Sequence, residues 1–241
     1  MTLILGLRGK DGLVLAADSR GTIGDPRNLT AIDDTQTKLF ELSKYCGLAV
    51  AGSSELAAKC VEDLRPILAK GSHQYADAIL RETRALARKN YEDWFSKFKV
   101  EERPGVVFIL CGYERSQTQG QASMFIPRTY QLVSQLDFAP QMLPNGNALA
   151  GVPQYAIYLL NRLYNPNMTV SHLPRLAAYL IGETATQDPK VGGPIRIATI
   201  TPNSGYKLLE QTQVDEIVKR NNDQNEQLRQ FFFERDYDAN S

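Results

Sequence analysis

Residues 2–22 read TLILGLRGKDGLVLAADSRGT, and this stretch decides the expected fold. Two short apolar runs, 2–9 and 12–19, flank the sequence GKDG, whose composition is typical of a tight turn between paired strands. The stretch therefore predicts a β-hairpin, with Thr2 at the head of its first strand and Asp18 at the end of its second. A polar stretch, 19–37, is rich in turn formers and predicts a loop long enough to have a binding role.

Further along the chain, strand-like and helix-like segments occur in blocks. Further strands are expected at 37–43, 46–52, 105–113, 122–126, 129–138, 194–202 and 205–212, and helices at 53–71, 74–98, from Pro153 to Tyr164 and at 168–187. Because strands do not alternate singly with helices, a doubly wound parallel sheet is disfavoured. The order favours two stacked antiparallel sheets, each covered on its outer side by a helix pair.

Prolines predict irregularities inside two of the helices. Ser53 or Ser54 is expected to cap the helix at 53–71, where Pro66 predicts a kink or an early end near Arg65. Pro174 predicts a break or shift in the last helix of the pattern. No repeat or linker divides the chain, so one domain over 1–212 is expected, followed by a polar helix or tail at 213–241.

Composition argues against several classes of function. Lys plus Arg and Asp plus Glu both number 27, for a formal net charge of +0, which disfavours a nucleic-acid partner. No signal peptide or run long enough to span a bilayer is evident, so a cytoplasmic protein without a membrane partner is expected. Three separated cysteines, Cys46, Cys60 and Cys111, predict buried thiols. With His73 and His172 also isolated, no metal site and no cofactor are expected.

Thr2 has a chemical property that an internal threonine lacks. At a chain terminus, the threonine hydroxyl and the α-amine belong to one residue, so the amine can accept the hydroxyl proton. A nearby lysine lowers the pKa of that amine by like-charge repulsion, and an aspartate orients the lysine. Thr2 becomes terminal only if Met1 is removed, which a small second residue permits.

Three motifs in order resemble the proteasome β-subunit family, which are threonine peptidases of the N-terminal nucleophile (Ntn) hydrolase superfamily. They are the opening stretch 2–22, the segment KLFELSKYCGLAVAGSSEL at 38–56, and the segment ATQDPKVGGPIRIATIT at 185–201. The spacings from Thr2 to Asp18 and from Lys38 to Gly52 match the family. The fold implied is α+β, a four-layer αββα sandwich, and the resemblance further implies a stand-alone bacterial proteasome homologue.

The resemblance implies roles for five residues in peptide-bond hydrolysis. Thr2 would be the nucleophile and its amine the base, Lys38 would tune both, and Asp18 would hold Lys38. The backbone N–H of Gly52 would bind the oxyanion. Asp188 matches the aspartate of the family's late loop. The implied activity is that of a threonine-type endopeptidase.

The resemblance also implies a substrate site and an assembly. Thr22 would bind the substrate backbone as an added strand, and Val50 and Ser54 would line the side-chain pocket with Gln36 nearby. That mixture predicts a weak preference for apolar residues. The implied partners are unfolded polypeptide substrates, copies of the same chain in stacked rings and an ATP-dependent unfoldase.

Departures from the family pattern leave other readings open. Ala150 and Val191 stand where the family has serines, and the segment between Thr22 and Lys38 is longer than the family's. A slow enzyme, or one using another polar group such as Asn145 or Asn147, would accommodate these changes. The alternatives are a catalytically degenerate structural subunit and a small-molecule amidohydrolase of the same superfamily.

Overall fold

The computed structural model of this chain describes residues 2–24, 30–71, 74–116 and 124–233. Met1, His73, the start of the strand expected at 122–126 and the tail at 234–241 lie outside these described residues. Within them the strands are β1 (Leu3–Arg8), β2 (Leu13–Ala17), β3 (Gly21–Gly24), β4 (Thr30–Asp33), β5 (Leu39–Ser43), β6 (Cys46–Ala51), β7 (Val107–Ser116), β8 (Met124–Val133), β9 (Gln141–Met142), β10 (Ala148–Gly151), β11 (Arg196–Thr201) and β12 (Gly205–Leu208). The helices are α1 (Ser54–Lys70), α2 (Ala76–Phe95), α3 (Gln154–Leu163), α4 (Leu173–Gln187) and α5 (Gln211–Phe233), with short 3₁₀ turns at Val100–Glu102 and Ser134–Leu136.

Two five-stranded antiparallel sheets form the centre of the molecule. Their strand orders are β10-β1-β2-β11-β12 and β5-β6-β7-β8-β9, and a separate ribbon pairs β3 with β4. Side chains of β1 and β2 alternate between two apolar layers, as the period of a strand requires. Leu3, Leu5 and Leu7 pack with α3 and α4, whereas Ile4 packs against the second sheet.

Helices cover the outer face of each sheet and complete the four layers. Leu48 and Val50 of β6 pack with Leu56, Cys60 and further apolar residues of α1 and α2. On the opposite side, α3 and α4 cover the first sheet, and α5 packs along α4. The α+β four-layer sandwich predicted from the sequence is therefore confirmed.

The polar stretch 19–37 is only partly a loop, so that prediction was wrong in part. Its two ends form the β3–β4 ribbon, in which Thr22 pairs with Ile32 and Ile23 pairs with Ala31. Residues 25–29 lie outside the described part of the chain. Turn formers dominated the composition of the stretch, and they concealed two short runs with residues that suit a strand.

One strand, β8, replaces the two predicted at 122–126 and 129–138, because Pro127 does not interrupt pairing. Pro127 lies opposite Tyr113, whose N–H donates to the carbonyl of Tyr45 at 3.1 Å on the other side of β7. The Tyr113–Pro127 pair is therefore one without ladder hydrogen bonds, and the nitrogen of Pro127 faces away from β7. The missing N–H consequently removes no bond between these strands.

The early end predicted for α1 near Arg65 was also wrong, since the helix continues through Pro66 to Lys70. Pro66 and Glu62, whose carbonyl loses its helical donor, both lie on the exposed side, where water can satisfy that carbonyl. The cap prediction is confirmed, because Ser53 Oγ accepts from the Leu56 N–H at 3.3 Å. The shift predicted at Pro174 is confirmed too, since α4 begins at Leu173.

The short strand β10 was not predicted, and it has consequences for the site. Its Gly151 pairs with Leu3, and the following Val152 N–H donates to the Thr2 carbonyl at 2.8 Å. Gly151 has a φ of 95°, and a Cβ at this position would lie 1.8 Å from the Thr2 carbonyl oxygen. Only glycine permits so close an approach, so β10 fixes the backbone of Thr2.

Candidate active site

Four of the five predicted catalytic residues lie at the open ends of two hairpins. Thr2 precedes β1 and Asp18 follows β2, and the Asp18 N–H donates to the Leu3 carbonyl at 3.2 Å. Lys38 precedes β5 and Gly52 follows β6 in the second sheet. Because the two sheets are stacked, their packing brings the two open ends together.

Thr2, Asp18 and Lys38 form a hydrogen-bonded group that we call the buried trio. The Thr2 hydroxyl donates to Asp18 Oδ1, and Lys38 Nζ donates to Thr2 Oγ1. Lys38 Nζ also contacts Asp18 Oδ1 at 2.8 Å and the Arg20 carbonyl at 2.6 Å. Their residue exposures are 4%, 0% and 8% respectively, so the three polar groups satisfy one another almost without water.

Backbone N–H groups surround the Asp18 carboxylate. Leu3 N–H donates to its Oδ1 at 3.0 Å, and the N–H groups of Arg20 and Gly192 donate to its Oδ2 at 3.2 and 3.1 Å. Together with the Lys38 ammonium, these donors stabilise a negative charge in a site without solvent. These bonds hold the Asp18 carboxylate in place, and it in turn orients Lys38.

Burial lowers the pKa of Lys38 below its ordinary value, while the charge of Asp18 and its hydrogen bond oppose that shift. A lysine with a lowered pKa gives up its proton more readily than an exposed lysine does. Since Lys38 contacts the Thr2 hydroxyl, it can take part in moving the proton of that hydroxyl.

Gly52 occupies a position that only glycine can adopt without strain. Its φ is 106°, and a Cβ would lie 2.1 Å from the carbonyl oxygen of Gly105. The residue lies at the turn from β6 into α1, on the wall of the cavity that contains Thr2. The backbone of Gly52 therefore borders the cavity that contains Thr2.

A cavity of about 490 Å³ opens above the buried trio. It is lined by all four residues predicted to bind substrate and by Thr2, Lys38 and Gly52; the four are Thr22, Gln36, Val50 and Ser54. Glu55, Phe95 and Pro104, which were not singled out in the sequence, also line it. Phe95 and Pro104 come from the end of α2 and the segment before β7, distant in sequence, so no local pattern indicated them.

Two of the cavity residues have notable hydrogen bonding. The Thr22 hydroxyl is buried and has no hydrogen-bond partner within the described residues. The Gln36 amide donates to Asp33, which also accepts from the Thr35 N–H at 2.9 Å. Asp33 therefore holds the turn that presents Gln36 to the cavity.

Asp188 forms no hydrogen bond or ion pair with the buried trio in the described part of the chain. It ends α4, and its carboxylate accepts from the Lys190 N–H at 2.9 Å within its own loop. The contact between this loop and the buried trio is made instead by Gly192, a residue that sequence reasoning missed. The adjacent glycines Gly192 and Gly193 in the segment 185–201 were the signal in the sequence that could have indicated this contact.

The two apolar departures are buried beside the site. Ala150 lies opposite Ile4 in the first sheet with 4% exposure, and Val191 is 1% exposed. The polar substitutes considered for them lie elsewhere, because Asn145 and Asn147 line a different cavity near Arg8. Asn147 Oδ1 accepts there from the Arg8 N–H at 3.0 Å, at the far end of β1, so neither asparagine replaces the missing hydroxyls.

Other kinds of site find no support in the described ranges. There, no group of three His, Cys, Asp or Glu side chains could hold a metal ion. None of the helices described combines the length and apolar character needed to cross a membrane. All three cysteines are free and buried, as predicted.

Comparisons with known proteins agree with this picture. Residues 2–122 match the family described as Proteasome subunit. Proteasome subunit beta 1 of Thermococcus sibiricus is 25% identical over 230 residues, which cover 91% of this chain and 95% of that protein. Proteasome subunit alpha of Methanococcus maripaludis is 26% identical over 220 residues, which cover 90% of this chain and 76% of that protein.

Among solved structures, the Anbu (Gly-1) mutant from Hyphomicrobium sp. strain MC1 is similar to the whole fold. The TM-score is 0.69 at 19% identity, over 99% of this chain and 100% of that chain. A likeness at that identity concerns the fold alone.

Proposed function

This chain belongs to the proteasome subunit family and has the Ntn-hydrolase fold, and from that premise we propose that it is a threonine-type endopeptidase. The observation that carries the proposal is the buried trio, in which Lys38 and Asp18 both contact the Thr2 hydroxyl beneath an open cavity. The relatives include alpha as well as beta subunits, so the activity is argued from the site rather than from similarity.

The reaction requires Met1 to be removed, which frees the Thr2 amine. Thr2 Oγ1 then attacks the carbonyl carbon of a peptide bond, and its proton passes to the amine while Lys38 stabilises the developing alkoxide. The oxyanion that forms is held by the Gly52 N–H. The carbon–nitrogen bond breaks as the leaving amine takes up the proton, and water then hydrolyses the ester on Thr2.

The remaining predicted residues have supporting roles. Asp18 holds the Lys38 ammonium, and Thr22 binds an extended substrate by adding it as a strand beside the β3–β4 ribbon. Gln36, Val50 and Ser54 receive a substrate side chain. Asp188 shapes the loop that carries Gly192.

We further propose that the chain acts in a cytoplasmic ring. Members of the proteasome family assemble into stacked rings, and this chain is proposed to form such rings from copies of itself. Entry to a closed chamber restricts substrates to unfolded polypeptides, which an ATP-dependent unfoldase would deliver.

The decisive experiment tests the amine and the hydroxyl together. Intact mass spectrometry of the cellular product should show loss of Met1, and a peptide epoxyketone should add its mass to the amino-terminal peptide. Thr2→Ala should abolish both the adduct and the turnover of fluorogenic peptides, whereas Thr186→Ala, on the exposed part of α4, should change neither. Retained Met1 would refute the proposal.

A structural subunit without activity is the second candidate, and it is favoured by one observation. Ala150 and Val191 bury apolar groups where the family pattern has hydroxyls that help position the amine and a water. A product that lacks Met1, forms rings and gives neither adduct nor turnover would establish this candidate instead.

A further inference from the structure

Arg20 contacts the buried trio with its backbone and two other segments with its side chain. Its N–H donates to Asp18 Oδ2 at 3.2 Å, and its carbonyl accepts from Lys38 Nζ at 2.6 Å. The guanidinium forms a bidentate pair with Asp34, with Nε–Oδ1 at 2.8 Å and Nη2–Oδ2 at 3.0 Å. Its Nη1 donates to the Pro189 carbonyl at 2.9 Å. One side chain thus joins the turn after β4 to the loop after α4.

The loop at 188–194 packs directly on this ion pair. A Cβ on Gly192 would lie 2.5 Å from Arg20 Cζ, and one on Gly193 would lie 2.9 Å from Asp34 Cβ. A side chain at either glycine would therefore force Arg20 or Asp34 to shift. Gly192 is also the residue whose N–H donates to Asp18 Oδ2, and its carbonyl accepts from the Ser19 N–H at 3.1 Å.

The ion pair of Arg20 and Asp34 is more constrained in its geometry than an ordinary surface ion pair. The side chains of Arg20 and Asp34 are 22% and 39% exposed, and an isolated pair at that exposure contributes little to stability. A bidentate pair, however, fixes the orientation of both groups. The hydrogen bond to Asp34 raises the pKa of Arg20, and the same contact lowers the pKa of Asp34, so both stay charged across the neutral range.

We propose that Arg20 and Asp34 are positioning residues, whose ion pair holds the 188–194 loop so that the Gly192 N–H supports the Asp18 carboxylate. The catalytic part of this inference rests on the proposed function. Asp34 belongs to the segment between Thr22 and Lys38 that is longer than the family pattern, and Val191 offers no hydroxyl to hold the loop. The longer segment therefore supplies, through Asp34, a restraint on a loop where Val191 has no hydroxyl to provide one.

The kinetic test removes the charge of Asp34 while keeping its shape. In the assembled protein, Asp34→Asn should lower kcat roughly ten- to a hundredfold through misplacement of Asp18, with KM little changed. Arg20→Gln should lower kcat at least as much, because it also removes the bond to the Pro189 carbonyl. Adding Asp34→Asn to Arg20→Gln should cause no further loss, because the ion pair is already absent.

A matched control comes from a pair of similar exposure outside the site. Arg128 Nε and Glu114 Oε2 lie 3.0 Å apart with side chains 31% and 21% exposed, on β8 and β7. Glu114→Gln should leave kcat and KM unchanged. Equal kcat in wild type and Asp34→Asn, or a loss in Asp34→Asn that Glu114→Gln reproduces, would overturn the positioning role.

Hydrogen exchange gives a readout that does not depend on activity. Amides in the peptide covering 188–194 should exchange faster in Asp34→Asn than in wild type or Glu114→Gln, because the loop loses its restraint. Unchanged exchange would overturn the proposal even in an active enzyme. A wild type without adduct or turnover would refute the peptidase, and faster exchange in Asp34→Asn would still support the restraint.

Discussion

The two ends of strand β1 both open into cavities with polar lining residues, yet they differ in the burial and pairing of their charged groups. We call them the Thr2 end, with Thr2, Asp18 and Lys38, and the Arg8 end, with Arg8, Lys10, Asn145 and Asn147. They are roughly 20 Å apart along the strand, from a rise of about 3.3 Å per residue. The cavity at the Arg8 end is the larger, at about 780 Å³ against 490 Å³.

At the Thr2 end, the ionic groups are buried and bonded to one another, whereas Lys10 at the Arg8 end is exposed. A buried charge interacts strongly with its neighbours because little water screens it. Size alone would have favoured the cavity at the Arg8 end. The Thr2 end is distinguished as the candidate site by polar groups that converge on one another and are shielded from water.

Replacement of one lysine at each end should give the largest difference in activity and stability between the two ends. Lys38→Met removes the group that contacts the Thr2 hydroxyl, and we expect kcat/KM to fall roughly 10²- to 10⁴-fold. It also leaves the buried Asp18 without its ionic partner, which should cost about 3–5 kcal/mol in the free energy of unfolding. Lys10→Met should change neither quantity by a measurable amount.

The measurements are peptide turnover by the assembled protein and urea unfolding of each variant. Lys38→Gln, which keeps a polar group, serves if Lys38→Met does not assemble, and it should lose the same rate. Equal effects of substitution at the two lysines would remove the distinction between the two ends.

Glycines with positive φ allow the same comparison for the backbone. Gly52 and Gly146 have φ values of 106° and 72°, and alanine at either position should cost about 1–3 kcal/mol in the free energy of unfolding. Only Gly52→Ala should also lower kcat, by about a hundredfold, because it displaces the proposed oxyanion donor. A full rate in folded Gly52→Ala would exclude that role.

The pH dependence of stability tests the burial of Lys38. Its lowered pKa means that, between the folded-state value and the ordinary 10.5, the unfolded chain binds the extra proton. The pH-dependent part of the contribution of Lys38 to stability is therefore complete above pH 10.5 and is lost as the pH falls through the folded-state pKa. The free energy of unfolding of the wild type should therefore rise relative to that of Lys38→Met as the pH rises, by at most about 1.4 kcal/mol per pH unit.

Urea unfolding of both proteins in steps from pH 7 to pH 10 provides this difference. Tyr113 and Tyr206, whose pKa values burial raises, contribute equally to both proteins and cancel. A difference that stays constant or shrinks with rising pH would contradict the buried-ammonium description.

The smallest effect is expected at the Arg8 end. Asn147→Ala removes the acceptor of the Arg8 N–H, which should cost about 0.5–1.5 kcal/mol in the free energy of unfolding and change kcat less than about twofold. Thermal unfolding and peptide turnover measure the two quantities. A large loss of kcat would couple the two ends and restore the asparagine as a substitute polar group.

Much of the site could be predicted because its parts are local. Thr2 and Asp18 lie on one hairpin, and Lys38 and Gly52 lie on another, where the Val50 N–H donates to the Lys38 carbonyl at 3.0 Å. Each hairpin is readable from alternation and turn residues within about twenty positions. Their functional roles came from the resemblance of those segments and remain proposals.

Other parts could not be predicted, because they depend on contacts between distant segments. The strand β10 is four residues long and forms only by pairing with β1, so Gly151 gave no local signal. The pairing of Arg20 with Asp34 was hidden inside a stretch read as a loop. Asn145 and Asn147 are near Gly151 in the sequence. The antiparallel direction of β10 nevertheless places them at the other end of β1.

The layered α+β fold, the two hairpins and the residues at their open ends can all be predicted from the amino-acid sequence. The reason is that alternation, turns and caps act over short distances along the chain. Only the tertiary structure decided that the two open ends meet, that Asp18 is fully buried and that Gly192 rather than Asp188 contacts it. Those outcomes depend on how two sheets stack. The desolvation that lowers the pKa of Lys38 exists only once that stack has excluded water.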